Sequence, residues 1–433
     1  ALAIADLNQD GLEDFFIGGA KQQQGNVYLQ TAHGFDIRDN PDFLSHRQAE
    51  DVDAAFLDFD NDGDQDLIVV SGGNEYDGTS PYRKPRLYLN NGHGKFDYFE
   101  NAFGEVYQTG CCIAVNDFDG DGWPDIFLGS LVVPWNYGLS PKSYLLRNDN
   151  GKGFTDVSDR LPQNGEIGMI NDATWIDLNG TGKKSLVLAG EWMEVTILHP
   201  NNDTFKLQTI PRSSGWWKAV AHLDYDGDGD QDLIMGNLGL NSKLKASENH
   251  PVRLYLDDLD QNGRIDPILT YSDGNDEYAF SSTDLLKKQI PSLGSNFQSN
   301  ESFSEATLEM IFGNKLKEAV QLSAVEFRSG IFLNEGSSFR FLPFPNILQI
   351  STIQDFLIDD LTGSGYLNIF SVGNLLKAST SQGMYAADRG TLVAGFPNHI
   401  QVLTNQETGI SLRGDVRKIE TLNFQGDTLL MVA

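Results

Sequence analysis

Cysteine is nearly absent from this chain. Its two residues, Cys111 and Cys112, stand side by side among 433. Adjacent thiols cannot tie distant parts of a fold together, so a disulfide framework is excluded. What is left is a strained vicinal bridge or two ordinary thiols on opposite faces of a strand, and the thiols are expected. Long apolar runs are missing too: nothing approaches the ~20 residues that cross a bilayer, and no membrane insertion is expected. Positive charge is scarce. Lys and Arg number 31 against 61 Asp and Glu, a net charge of −30. That balance repels polyanions, so nucleic acid and an anionic membrane surface are excluded as partners. The seven His residues are scattered, with none spaced as a zinc pair, and each is expected on the surface or in packing. No nucleophile elbow occurs. The stretch from Gly180 to Lys184 departs from a phosphate loop at both ends, with Asp177 where its first Gly belongs. No catalytic residue is assigned.

What the chain does have is acid in a fixed rhythm. From Asp58 to Asp66 an acidic residue occupies every second position, with Gly63 after the third and an apolar run beyond. Like charges this close repel unless a hard cation neutralises them, and the pattern matches the first half of an EF-hand loop. The loop recurs, starting at residues 6, 58, 117, 224 and 258. We assign side-chain ligands for calcium at positions 1, 3, 5 and 9 and a backbone carbonyl at position 7. The ligand sets are then Asp6, Asn8, Asp10 and Asp14; Asp58, Asp60, Asp62 and Asp66; Asp117, Asp119, Asp121 and Asp125; Asp224, Asp226, Asp228 and Asp232; and Asp258, Asp260, Asn262 and Asp266. The last carries Arg264 at position 7 and is the weakest. Loops at 177 and 360 keep the shape and lose the acids. A loop that recurs in every unit points to a structural staple rather than an active site. Oxygen sites of this kind fill where calcium is near millimolar, so a place outside the cytosol is expected.

Each loop joins two strand patterns, and a hairpin follows, as in Leu87 to Phe96 with its Asn-Gly turn. Four strands per unit, with loops about 50–60 residues apart, predict an all-β propeller spanning residues 1–433. Seven blades are expected, the last a worn hairpin from Ile419 to Val432 closed by mixing chain ends. The loop at 258 is then an extra hairpin inside the fifth blade; counted as a blade of its own, it makes eight. The run 268–328 breaks the rhythm and reads as a helical insertion. Ser302 and Glu305 form a capping-box pattern, and Leu308, Ile311, Phe312, Leu316, Ala319 and Val320 follow at helical spacing. A shorter helix is expected from Thr283 to Ile290. Both termini lie inside strand patterns and no signal peptide is visible, so the chain is expected to be a segment of a longer protein with other domains.

The Asp-x-Asp-x-Asp-Gly-x-x-Asp loops and the Leu-Tyr-Leu-Asn-Asn-Gly hairpin resemble the FG-GAP/VCBS repeat proteins. These include integrin α-like propellers and the cartilage-acidic-protein-like group that often carries an ASPIC/UnbV domain. The stretches Val132 to Leu146, Gly190 to Met193, Gly215 to Trp217 and Gly236 to Asn241 resemble large surface repeat proteins of Bacteroidetes-type bacteria. The resemblance implies a calcium-dependent propeller for adhesion or ligand binding, secreted or on the cell surface, in the outer membrane or facing the periplasm of a Gram-negative bacterium. Trp135, Tyr137, Trp192, Trp216 and Trp217 fall in linkers or at strand edges. They read either as a rim that binds glycan or protein or as packing between blades. The leading reading is a binding module. A calcium-dependent propeller enzyme, such as a polysaccharide lyase or a phosphoesterase, and a purely architectural segment are the alternatives.

Overall fold

A computed structural model describes residues 1–295, 300–379, 381–396 and 401–433. Residues 296–299 of the expected insertion, and His399, lie outside it. The described chain is a succession of antiparallel sheets, most of them four-stranded and in simple up-and-down order; one gains Gly215–Trp216 as a fifth strand and the last has two strands. The first is Leu2–Ala5, Asp14–Ile17, Asn26–Thr31 and Gly34–Arg38. The next three begin with Asp51–Leu57, Gly110–Asn116 and Met169–Ile176. The fifth begins with Ala219–Leu223, the sixth with Ile353–Asp359, and the last is the pair Ile419–Phe424 and Asp427–Val432. These seven first strands pack side by side in chain order, and the last packs against Leu2–Ala5. That closing contact is what a propeller requires.

The sequence explains the stacking. Second strands such as Asp66–Ser71 and Asp125–Ser130 are buried at every position. A strand covered on both faces needs apolar residues throughout, and side chains then alternate between two neighbours. Ile126 and Leu128 pack on Ile68 and Val70 of the preceding sheet. Phe127, between them, packs on Ile170 and Leu188 of the following one. Each such side chain contributes about 1.5–3 kcal/mol on burial, so each sheet draws stability from both neighbours.

Polar links repeat at the same places. The Asn ending a third strand reaches back one blade: Asn90 Nδ2 donates to Leu7 O at 2.9 Å, Asn148 Nδ2 to Phe59 O at 2.9 Å and Asn334 Nδ2 to Leu178 O at 3.1 Å. Gln30 holds this place in the first sheet and donates to Asn423 O of the last at 2.9 Å. Around the axis, bulges in three first strands carry Asp53, Asp172 and Asp355. They accept the N–H of Ile113, Val220 and Ile419, each from the next first strand, at 2.8–2.9 Å. Lys418 lies among them, 3.8 Å from Asp355 Oδ2 and 3.4 Å from Glu420 Oε1.

Burial raises the Asp172 carboxyl to about 7, with Asp355 and Asp53 adding and Lys418 opposing. Its folded pKa lies above the unfolded value of about 3.9. The stabilisation from the bound proton is therefore present at low pH and fades as pH climbs through about 7. With calcium present throughout, the melting temperature is expected to fall between pH 5 and pH 8. Asp172→Asn should flatten that fall in a thermal-melt series across the range.

The insertion is larger than the expected 268–328. It leaves the fifth sheet after Asp232–Gly236 and returns at Gly330–Asn334. Inside it is a separate sheet ordered Asp276–Ala279, Asp266–Asp273, Val252–Asp257, Val320–Ala324. The loop at 258 therefore belongs to this sheet and not to a hairpin of the fifth blade. A helix spans Thr283–Gln289. Ser302 lies within a short helix, Asn300–Ser304, rather than ahead of one, and the cap of the next helix, Leu308–Phe312, is Thr307, whose side chain accepts from Met310 N. Val320 is in a strand because pairing with Leu256 completes the inserted sheet, overriding its helical spacing.

Candidate metal loops and the opposite face

Strand direction sorts the functional candidates. First strands run into the acidic loops and second strands run back. The blades' acidic loops and third-to-fourth hairpins therefore share one end, while the second-to-third connections and the links between blades share the other. Neighbouring loops touch at the first end. Gln9 Nε2 donates to Gly63 O at 3.2 Å, and Asn61 Nδ2 to Gly122 O at 3.3 Å. Gln9 and Asn61 both hold positive φ, 60° and 56°, which aims these side chains at the next loop.

Within each loop the backbone wraps around position 1. Asp58 Oδ1 and Oδ2 accept from Asp62 N and Gly63 N, both at 3.1 Å, and Asp62 Oδ1 accepts from Asp64 N at 3.0 Å. Carboxylate oxygens of Asp58, Asp60 and Asp62 lie within 4.8 Å of one another, as do those of Asp117, Asp119 and Asp125; of Asp224, Asp226 and Asp232; and of Asp258, Asp260 and Asp266. The first loop, with Asn8 at position 3, forms no such three-carboxylate group among the described residues.

Position 9 is already engaged in the fold. Asp66 Oδ2 accepts from Phe59 N at 3.0 Å and Oδ1 from Asn90 N at 2.8 Å. Asp14, Asp125 and Asp232 repeat this with Leu7 and Gln30, Phe118 and Asn148, and Tyr225 and Asn334. Asp266 accepts from Leu259 N at 3.1 Å. These carboxylates brace loop to strand, and each oxygen keeps a second lone pair for a cation.

The charge state separates full loops from worn ones. Burial raises Asp66 and Asp125 to about 7 and Asp14 to about 6, with nearby loop acids adding to the effect. In the worn loops, Asp177 and Asp360 sit below the ordinary range, held there first by the N–H of Gly182 and Gly365. The full loops thus carry a buried carboxylate at position 9 whose hydrogen bonds do not offset its burial, where the worn loops have Ser185 and Asn368. In the loop at 58, Asp60 Oδ1 and Asp64 Oδ1 are buried without a hydrogen-bond partner, and Asp230 Oδ1 repeats this in the loop at 224. An all-oxygen set with buried, unpartnered acceptors fits a hard divalent cation. The assigned residues would hold it, and its contribution there would be charge neutralisation and loop closure.

At the opposite end the aromatic residues do not form one rim. Trp135 is 67% exposed and Tyr137 38%. Trp192, Trp216 and Trp217 are buried, which favours packing over a shared rim for these three. The inserted sheet is the reason: Leu254, Leu256 and Phe327 cover Trp192 and Trp216, which meet edge to face at 5.1 Å. Trp217 is sealed between the fourth and fifth blades beside Phe332. Tyr137 bonds to Glu191, which also holds Lys218, and Trp192 Nε1 donates to Tyr137 Oη at 2.9 Å. Trp135 stands free of this network, with its backbone N–H on Asn74 Oδ1 at 2.8 Å. Cys111 and Cys112 are free thiols.

Sequence reasoning missed Asp64 and Asp230, because position 7 was assigned to a backbone carbonyl. It also missed the axial trio Asp53, Asp172 and Asp355. A signal was present, since each stands five residues ahead of its loop's first Asp.

The architecture and loops define a β-propeller of repeated blades with acidic first-hairpin loops. The FG-GAP-like repeat matches the chain at residues 6–69, 58–128 and 177–235. The chain is an FG-GAP repeat β-propeller protein. A stretch of 167 residues is 29% identical to integrin alpha-4 of Xenopus laevis, covering 34% of this chain and 15% of that protein. Among solved structures, an Agrocybe aegerita lectin, described as recognising non-reducing terminal N-acetylglucosamine, aligns over 93% of this chain and 94% of its own at 15% identity and a TM-score of 0.38. The V. cholerae biofilm matrix protein Bap1 aligns over 99% and 83% at 11% identity and a TM-score of 0.39. Overlaps this low carry nothing over from those proteins.

Proposed function

We propose that this propeller is a calcium-stabilised extracellular binding module, with its acidic loops as staples at one end and its ligand, a glycan or a protein, taken at the other. The observation that carries the reading is the separation of the two ends: the acids repeat in blade after blade at one, while the exposed Trp135 occurs once, at the end that also bears the insertion. Repetition suits a staple, and an exposed tryptophan outside the repeat suits recognition. The oxygen-only loops suit a calcium-rich medium outside the cytosol. The loop at 258 would staple the inserted sheet in the same way as the blade loops staple theirs.

The test is an array of glycans and candidate surface proteins probed with and without calcium, using the native chain and Trp135→Ala. A calcium-dependent hit lost in Trp135→Ala is the expected result. Hits that ignore both calcium and Trp135 would overturn the reading.

A further inference from the structure

Five full loops share a pattern, but position 7 divides them. It is Leu12, Trp123 and Arg264 in three, and Asp64 and Asp230 in the loops at 58 and 224. Asp64 is only 6% exposed. Its Oδ1 is buried and has no hydrogen-bond partner, and Asp230 Oδ1, three blades away at the same loop position, is orphaned in the same way. Neither residue makes an ion pair among those described. A buried carboxylate oxygen without a donor is costly, and no basic side chain relieves it here. Each backbone N–H at this position is spent on the acid at position 5, at 3.0 Å for Asp64 and 3.1 Å for Asp230. The side chain is thereby tied beside the loop's other carboxylates. In the loop at 58, Asp60 Oδ1 is a second orphan. The same defect in two separate blades is what a shared missing partner would leave.

We infer that Asp64 and Asp230 each add a side-chain carboxylate to the cation held in their loops, making these two the tight divalent sites of the protein. This rests on the calcium reading above. Each of the two loops carries five acids on alternate positions, against four at 117 and three at 258. Affinity for calcium rises with ligand charge at fixed loop geometry. The loops at 58 and 224 therefore fill first, and the loop at 258, with Arg264 at position 7, fills last.

The test is calcium titration calorimetry on the full chain after chelator stripping. The native protein should show two tight sites ahead of a weaker group. Asp64→Asn and Asp230→Asn, which keep side-chain size, should each remove one tight site, weakening it by about tenfold or more. Leu12→Asp should move the first loop toward the tight class. A second readout uses Trp123. An added Cβ on Gly151 would lie 2.9 Å from Asp60 Cβ and 3.3 Å from the Trp123 ring, so that indole sits beside the loop at 58. Terbium luminescence excited through tryptophan should then shift its midpoint in Asp64→Asn and not in Asp230→Asn. Calcium binding with unchanged classes in both Asn variants would overturn the inference and leave the calcium reading standing. No calcium binding by the native chain would remove both.

Discussion

Stripping calcium with a chelator is expected to lower the melting temperature by roughly 10 °C. A site held at a hundred times its dissociation constant adds about 2.7 kcal/mol to the folded state. Unfolding 433 residues carries an entropy of roughly 0.9 kcal/mol per degree, so four such sites move the midpoint by about that much. The physical cause lies in the loops. Asp66 and Asp125 are pushed up to about 7 because burial outweighs the two backbone N–H bonds each accepts, and the neighbouring loop acids add to it. At neutral pH, without a cation, each loop must either hold a proton or bear the repulsion. The check is a thermal melt with calcium and with excess chelator. An unchanged midpoint would remove calcium from the account of this fold. Asp177→Asn, in a worn loop, should leave the calcium-dependent shift as it is.

The second large effect separates two tryptophans that sequence placed together. Trp217 is fully buried, edge to face with Phe332 at 5.6 Å, and its Nε1 donates to Ser213 O at 2.7 Å. Trp217→Ala opens a cavity and leaves a buried carbonyl unpaired, a loss of about 3–5 kcal/mol that urea denaturation will read. Trp135 is 67% exposed. Trp135→Ala should stay within about 0.5 kcal/mol of the native stability while abolishing ligand capture. Equal destabilisation of the two variants would contradict the burial described here.

Much of the site was legible because its information is local. The loop from Asp58 to Asp66 announces its turn, its ligands and its flanking strands within nine residues, and its recurrence announces the repeat. The roles of Asn90, Asn148 and Asn334 were not legible, although the hairpin motif contains them. Each acts on the carbonyl of a loop in the preceding blade, a partner tens of residues away or more. The burial of the Asp64 side chain was not legible for a related reason. It depends on neighbouring strands that the loop itself does not contain.

The helical insertion shows the boundary most clearly. Val320 follows a helical spacing, yet it pairs with Leu256 in a strand. Local spacing cannot foresee that a strand some sixty residues earlier offers an open edge. By itself the sequence determined the repeat, the acidic loops, the all-β class and the absence of any disulfide framework, since each depends on neighbouring residues alone. Only the tertiary structure decided which end of the propeller each feature occupies and which tryptophan remains exposed. It also decided which carboxylates lose their solvent, because burial is set by the packing of sheets against one another and by the inserted sheet that covers one end.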